Sequence, residues 1–353
     1  MVPYMRYEDL ERYDYVLPPE LIRKEGIEPR DSARLFVYDT RTDELRHGFF
    51  YELAAYLPEK SLMILNETRV VPARLWLRKE TGGRIEAFVL ANEWDGAGEI
   101  PLLVDRKCMP GMRLSFPNGS FLEIVRQEES RFFARLESGK PLEILLDTFG
   151  ETPIPHYLEG AEKGDEQELR RRYQTVFAKT GASVAAPTAS LHFTDRVFES
   201  LDRKGIDIAK VTLDVGQGTF APLREENFRT KTLHRERIDV SPETARRLDT
   251  AKQDGRPIVA VGTTALRTLE SVSGDDGFRA HSGPTDIFIF PPHVFRSADI
   301  LLTNFHLPKT SLMLLVDAFL EHKGSKRRIL DLYGEAIREK YAFYSFGDSM
   351  LIL

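Results

Sequence analysis

A single cysteine, Cys108, occurs in 353 residues. An internal disulfide is therefore excluded, and neither a CxxC redox site nor a paired-cysteine metal centre can be assembled. Long apolar runs are also missing. Stretches such as Leu312 to Val316 stop after five residues, against the roughly 18 that a membrane span needs, so no membrane association is expected. Tyrosines and acidic residues interrupt the opening MVPYMRYEDLERYDYVLPPE, and no secretory signal is expected there. The eight histidines form no HExxH, and no GxSxG elbow or Walker lysine loop occurs, so no metal and no resident cofactor are expected. The net charge of −6 excludes a chain coated in basic residues while leaving room for a local basic face. These absences together fit a reducing cytoplasm.

What is present is an ordinary globular composition, 42% hydrophobic and 29% charged, in a chain long enough for about two domains. The stretch from Tyr173 to Thr194, YQTVFAKTGASVAAPTASLHFT, stands out. Gly181, Ala182, Ser183, Ala185, Ala186, Ala189 and Ser190 let a backbone approach something closely, and Pro187 stops a regular helix, so a ligand is expected to dock there. Ahead of it, strands are expected over Arg34 to Tyr38 and Ser61 to Leu65, the latter ending on a polar loop from Asn66 to Arg69. From about Val70 to Leu146, short alternating strands follow one another without a helix, with Thr81-Gly82-Gly83 and Pro117-Asn118-Gly119-Ser120 as hairpin turns. Residues Thr152 to Arg172 read as a linker or mobile arm.

Thr194 is the expected N-cap of a helix to Lys204. A strand from Ala209 to Val215 runs into Gly216-Gln217-Gly218-Thr219. Two strand, loop and helix units follow: Pro257 to Val261, a tight Gly262-Thr263-Thr264 loop and a helix to Val272; then Asp299 to Leu302, a loop from Thr303 to Lys309 and a helix from Thr310 to Leu320. The fold expected is α/β, a mixed sheet with packed helices interrupted by a small all-β barrel domain. Residues 1–69 and 151–353 are assigned to the α/β part and 70–150 to the barrel.

Polar loops at the carboxyl ends of such strands converge on one cleft. The loop residues competing for it are Asn66, Gly216 to Thr219, Gly262 to Thr264 and Asn304 to Lys309. Gly216-x-Gly218 lacks the third glycine and the helix of a dinucleotide fingerprint. Gly262-Thr263-Thr264 opens a helix, whose first turn offers free N–H groups to an anion, although a plain tight turn explains it equally. His192 and His306 sit in polar loops where an imidazole could move a proton, or simply hold structure. His234 beside Glu236 reads either as a base with its orienting carboxylate or as a solvated turn. Basic residues gather at Arg69, Arg74, Arg78, Lys79 and Arg84, and again at Lys323, Lys326, Arg327 and Arg328; both suit phosphate contacts or a solvated face.

The blocks LNETRVVPARL, TGGRIE, RYQTVFAKTGASVAAPTASLHFT, VTLDVGQGTFAPL, VGTTALRTLES, LLTNFHLPKTSLMLLVDAF and YAFYSFGDSMLI, running in order from about Arg30 onward, resemble the S-adenosylmethionine:tRNA ribosyltransferase-isomerase family of queuosine biosynthesis. The resemblance implies ribosyl transfer and isomerisation from S-adenosylmethionine, a co-substrate, onto tRNA bearing 7-aminomethyl-7-deazaguanine (preQ1) at the wobble position, giving epoxyqueuosine, adenine and methionine. It implies His192 and His306 as proton-moving candidates, with Asp214 at a position the family usually fills with histidine. Asn304, Thr188, Gly262, Thr263, Thr264 and Arg267 are implied for positioning, Arg69 and Arg74 for tRNA phosphate or the methionine carboxylate, and Asn66, Tyr173, Gln174 and Lys309 for the cleft walls. Ser190 replaces the usual glycine and Leu233 the usual methionine. Asp214 and Ser190 make a non-catalytic or altered-substrate tRNA-binding paralogue the alternative.

Overall fold

The computed structural model describes residues 5–94, 96–154, 165–216, 218 and 221–353. In chain order, the hairpin β1 (Arg34–Asp39) and β2 (Glu44–Phe49) leads through helix α1 (Leu53–Tyr56) to β3 (Leu62–Asn66) and the short β4 (Thr68–Val70). Next come β5 (Arg74–Lys79), β6 (Arg84–Val89), β7 (Ile100–Val104), β8 (Arg113–Ser115), β9 (Phe121–Glu128) and β10 (Arg131–Glu137), then α2 (Leu142–Phe149), β11 (Gly150–Glu151) and α3 (Glu166–Arg172). The chain continues with β12 (Thr180–Ser183), α4 (Asp195–Arg203), β13 (Asp207–Asp214), α5 (Glu225–Thr230), β14 (Thr232–Val240), α6 (Pro242–Gln253), β15 (Ile258–Val261) and α7 (Gly262–Val272). The small pair β16 (Ser273–Gly274) and β17 (Gly277–Phe278) precedes β18 (His281–Ile287), β19 (Ile300–Asn304), α8 (Ser311–His322), α9 (Ile329–Arg338) and β20 (Ser349–Ile352).

Among the described residues, nine strands form one mixed sheet in the order β18-β14-β13-β3-β15-β19-β20-β1-β2. Its centre, β13, β3, β15 and β19, is parallel. Such strands are covered on both faces and read as continuous apolar runs. In β3 this is literal: Leu62 and Ile64 join one buried cluster and Met63 and Leu65 another, because successive side chains point to opposite faces. A second sheet orders β11-β5-β6-β7-β10-β9-β8, and Arg78 and Lys79 of β5 also pair with Ser115 and Leu114 of β8, returning the last strand to β5. Leu75, Leu77, Ile85, Leu102, Leu114, Leu122 and Ile124 fill a buried cluster of its own.

Four local expectations change. Residues 166–172 are not a linker but helix α3, capped by Asp165 accepting from the Gln167 N–H and braced by Glu166 to Arg170 and Glu168 to Arg172 ion pairs four residues apart. Residues 155–164 of that segment lie outside the described residues. Helix α2 begins inside the stretch expected to hold only strands. Gly262-Thr263-Thr264 is no loop: α7 starts directly after β15, and Gly262 absorbs the corner at φ +84°. Asn66, Thr303 and Asn304, expected in loops, are the last residues of their strands.

Candidate active site

The carboxyl ends of the parallel strands meet at a cavity of about 80 Å³. Val215 after β13, Gly262 at the end of β15, and Thr303 and Asn304 of β19 supply its floor, Ala185 to Ala189 one wall, and Tyr344 and Ser345 the opposite side. The small side chains of the wall are what permit the close approach. Pro187 N-caps a short 3-10 turn, Thr188–Ser190, that carries the Thr188 hydroxyl to Asn304 Oδ1 at 2.9 Å. The donated proton fixes the amide of Asn304, whose Nδ2 points to the Asp348 carbonyl at 3.4 Å. Helix α7 has no side-chain cap, so the first-turn N–H groups remain available at the cavity wall. Beside them Thr264 Oγ1 is buried with no partner among the described residues. A donor or acceptor so left costs about 1–3 kcal/mol unless a ligand or water satisfies it.

His306 lies in this cavity with Nε2 3.0 Å from Thr303 Oγ1. Burial pushes its pKa down to about 3, with no opposing charge, so the ring stays neutral around pH 7. Its backbone is clamped too. The N–H donates to Tyr333 Oη at 2.8 Å, and the carbonyl accepts from the Tyr15 hydroxyl. Tyr344 holds φ at +71°, a conformation that strains a bulky residue and concentrates at functional sites.

The cavity thus gathers Thr188, Gly262, Thr263, Thr264, Asn304 and His306. The other expected site residues lie elsewhere. His192 is buried with Nε2 2.9 Å from the Gly347 carbonyl and Nδ1 3.1 Å from that of Arg30. Burial lowers its pKa, partly opposed by Asp348 and the two carbonyls, and the single N–H of the neutral ring donates to one of these carbonyls, bracing the fold. Tyr173 is buried in a cluster with Val70 and Phe346, while the Gln174 amide bonds both the N–H and the carbonyl of Val70. Neither lines the cavity described above. Asn66 is consumed by the Leu213 backbone and the Thr68 N–H. Arg69 faces Asp147 at 3.7 Å and Arg74 faces Glu86 at 3.5 Å. Lys309 turns away to Glu11 and Asp14 at 3.1 and 2.9 Å. Arg267 is buried against Glu236.

Asp214 anchors backbone. Its Oδ1 accepts from Thr68 Oγ1 at 2.7 Å and from the Ala182 N–H at 3.0 Å. Burial raises its pKa against these two bonds and Arg237. Gly181, at φ +92°, packs so tightly here that a Cβ would fall 2.2 Å from Asp214 Oδ1. Ser190 is fully buried outside the cavity, and its hydroxyl has no partner among the described residues. Tyr344, Ser345 and Thr310 were not anticipated; the tail block YAFYSFGDSMLI was the available signal for the first two. Among the described residues no three His, Cys, Asp or Glu side chains stand together as a metal site, and no helix is long and apolar enough to cross a membrane.

A profile of a family described as queuosine biosynthesis protein matches residues 10–352. The S-adenosylmethionine:tRNA ribosyltransferase-isomerase of Moorella thermoacetica is 42% identical over 349 residues, covering 98% of this chain and 99% of that protein. The enzyme of the same name from Acetivibrio thermocellus is 43% identical over 345 residues, 96% of this chain and 98% of its own. The crystal structure of S-adenosylmethionine tRNA ribosyltransferase from Thermotoga maritima superposes with a TM-score of 0.54 at 32% identity, over 97% of this chain and 99% of that one.

Proposed function

The chain belongs to the queuosine biosynthesis family of S-adenosylmethionine:tRNA ribosyltransferase-isomerases, and from that premise we propose that it works in the cytoplasm on tRNA carrying 7-aminomethyl-7-deazaguanine at the wobble position. It is a transferase of tRNA modification that takes its ribosyl group from S-adenosylmethionine. The relatives do not favour a non-catalytic paralogue.

The observation that carries the site assignment is the uncapped start of α7 facing a cavity in which Thr264 Oγ1 has no partner. A helix N-terminus attracts a carboxylate, so the methionine carboxylate of the donor binds at Gly262 to Thr264. Thr188 and Asn304 orient the ribosyl part from the facing wall. The reaction needs a base for the attacking ammonium or for the carbon beside the sulfonium, and a donor to the departing adenine. A neutral imidazole with a pKa near 3 is a weak base. His306 is therefore placed as a hydrogen-bond donor to the leaving adenine. Asp214 and His192 act on the scaffold. Residues 70–150 form, in this reading, a small β-barrel domain inserted into the α/β domain of 1–69 and 151–353; the return of β8 to β5 and the separate apolar cluster support it.

Incubating the chain with S-adenosylmethionine and preQ1-bearing tRNA should release adenine, whereas tRNA with guanine at the wobble position should release none. Absence of adenine with a verified preQ1 tRNA would sink the assignment.

A further inference from the structure

A second cleft, of about 900 Å³, opens where β14 runs on past the end of β13. The ladder between these strands runs from Thr212 opposite Asp239 to Asp214 opposite Arg237, and beyond it the Gly216 N–H donates to the Glu236 carboxylate at 3.0 Å. Across the gap stand Asn92 and Trp94 together with Arg131 of the second sheet. Arg224, Arg235 and Arg237 line the cleft, are exposed, and make no ion pair among the described residues. The acids nearby are already engaged, Glu93 by Arg131 at 2.6 Å and Glu236 by Arg267.

The contrast with other basic clusters is what gives these three arginines meaning. Arg69 and Arg74 face Asp147 and Glu86, and Arg327 and Arg328 are held by Asp43 and Asp317. Those cations are neutralised in place, whereas three guanidinium groups without an ion pair among the described residues share one cleft in a chain of net charge −6, Arg237 feeling the buried Asp214 only beyond ion-pair distance. Flat rings border the same space. Trp94 is one. The other is His234, whose Nε2 lies 3.4 Å from the buried Glu236 carboxylate. A Cβ on Gly218 would come within 2.3 Å of that imidazole, so the ring is seated against bare backbone and cannot swing toward it.

We propose that this cleft binds the single-stranded anticodon loop of the tRNA, its phosphates on Arg224, Arg235 and Arg237 and a base stacked on Trp94 or His234. Guanidinium groups holding phosphates beside aromatic platforms are the general means of gripping single-stranded RNA. The assignment rests on the tRNA reading above. It differs from that reading in placing the RNA contact at β14, away from the basic clusters that stand out in the sequence.

The test uses the full chain and a fluorescent 17-nucleotide anticodon stem-loop, with affinity measured across a range of salt concentrations. Each phosphate contact on a single strand contributes about 0.7 to the slope of log K against log salt, so losing three lowers the slope by about two and the affinity roughly 100-fold at 0.1 M salt. The triple variant R224Q/R235Q/R237Q should show that loss with an unchanged thermal midpoint, because no ion pair is broken, and R224K/R235K/R237K should keep the wild-type slope. A triple glutamine variant with wild-type slope and affinity overturns the proposal. So does a lysine variant that loses both, which would mark the arginines as structural. Adenine release by the unmutated chain is scored separately. Stem-loop binding that depends on the arginines, without adenine release, would defeat the activity and leave the cleft standing; adenine release with an unaltered tRNA KM in the glutamine variant would do the reverse.

Discussion

Lowering the pH should destabilise the protein through His306 in a measurable and separable way. In the unfolded chain an imidazole titrates near 6.5, whereas in the fold burial holds His306 down to about 3. Between those values the unfolded state binds a proton that the folded state refuses, so stability rises with pH there. The contribution is fully present above pH 6.5 and is lost progressively as pH falls toward 3. At pH 5 the difference from pH 8 is about 1.5 pKa steps at 1.36 kcal/mol each, or about 2 kcal/mol. Urea unfolding of the wild type and of His306→Gln at pH 8 and pH 5 isolates it, since every other titrating group is common to both. The wild type should lose about 2 kcal/mol more than the variant over that interval. In a histidine-labelled sample the His306 Cε1 resonance should stay fixed from pH 8 to 5. Parallel losses in the two proteins, or a resonance that titrates near 6.5, would refute the neutral buried imidazole and with it the role of hydrogen-bond donor to adenine.

Two further substitutions probe the scaffold. Gly181→Ala combines a left-handed backbone at φ +92° with a Cβ placed 2.2 Å from Asp214 Oδ1, and should cost about 3 kcal/mol or more from backbone strain and weakened charged hydrogen bonds; a loss below about 1 kcal/mol in urea unfolding would mean that Asp214 and Thr68 yield easily. Ser190→Ala removes a buried hydroxyl with no partner and should raise stability by about 1 kcal/mol, with destabilisation as the contrary result.

Much of the framework was legible because it rests on local chemistry. Thr194 caps α4 as its position before an amphipathic run suggests, Thr310 rather than Ser311 caps α8, and the apolar run of β3 announced a buried strand, though not its central place. The converging strand ends at Gly262 and Asn304 followed from the alternation of strands and helices. Helix α3 escaped because its residues, EQELRRR, carry no apolar face, and its stability comes from ion pairs along one side. His192 was misleading for a different reason. The carbonyls that occupy its ring belong to Arg30 and Gly347, 162 and 155 residues away in the chain, and no local pattern encodes such a meeting. Lys309, implied for a cleft wall, is likewise drawn to Glu11 and Asp14, which only the fold brings against it. The positive φ of Tyr344 has no signature in composition at all.

The placement of β20 bears on how the chain can be made. Residues 349–352 lie between β19 and β1, antiparallel to the first and parallel to the second, so β1, translated early, has no neighbour on that side until synthesis has passed residue 352. During that interval the hairpin of β1 and β2 exposes an unpaired edge with an apolar face, the kind of surface that recruits other chains. The sheet is closed there by a strand made more than 300 residues after β1. Expression conditions that slow elongation should therefore lengthen the vulnerable period, and residues 349–352 complete a strand that sits inside the sheet, with partners on both sides.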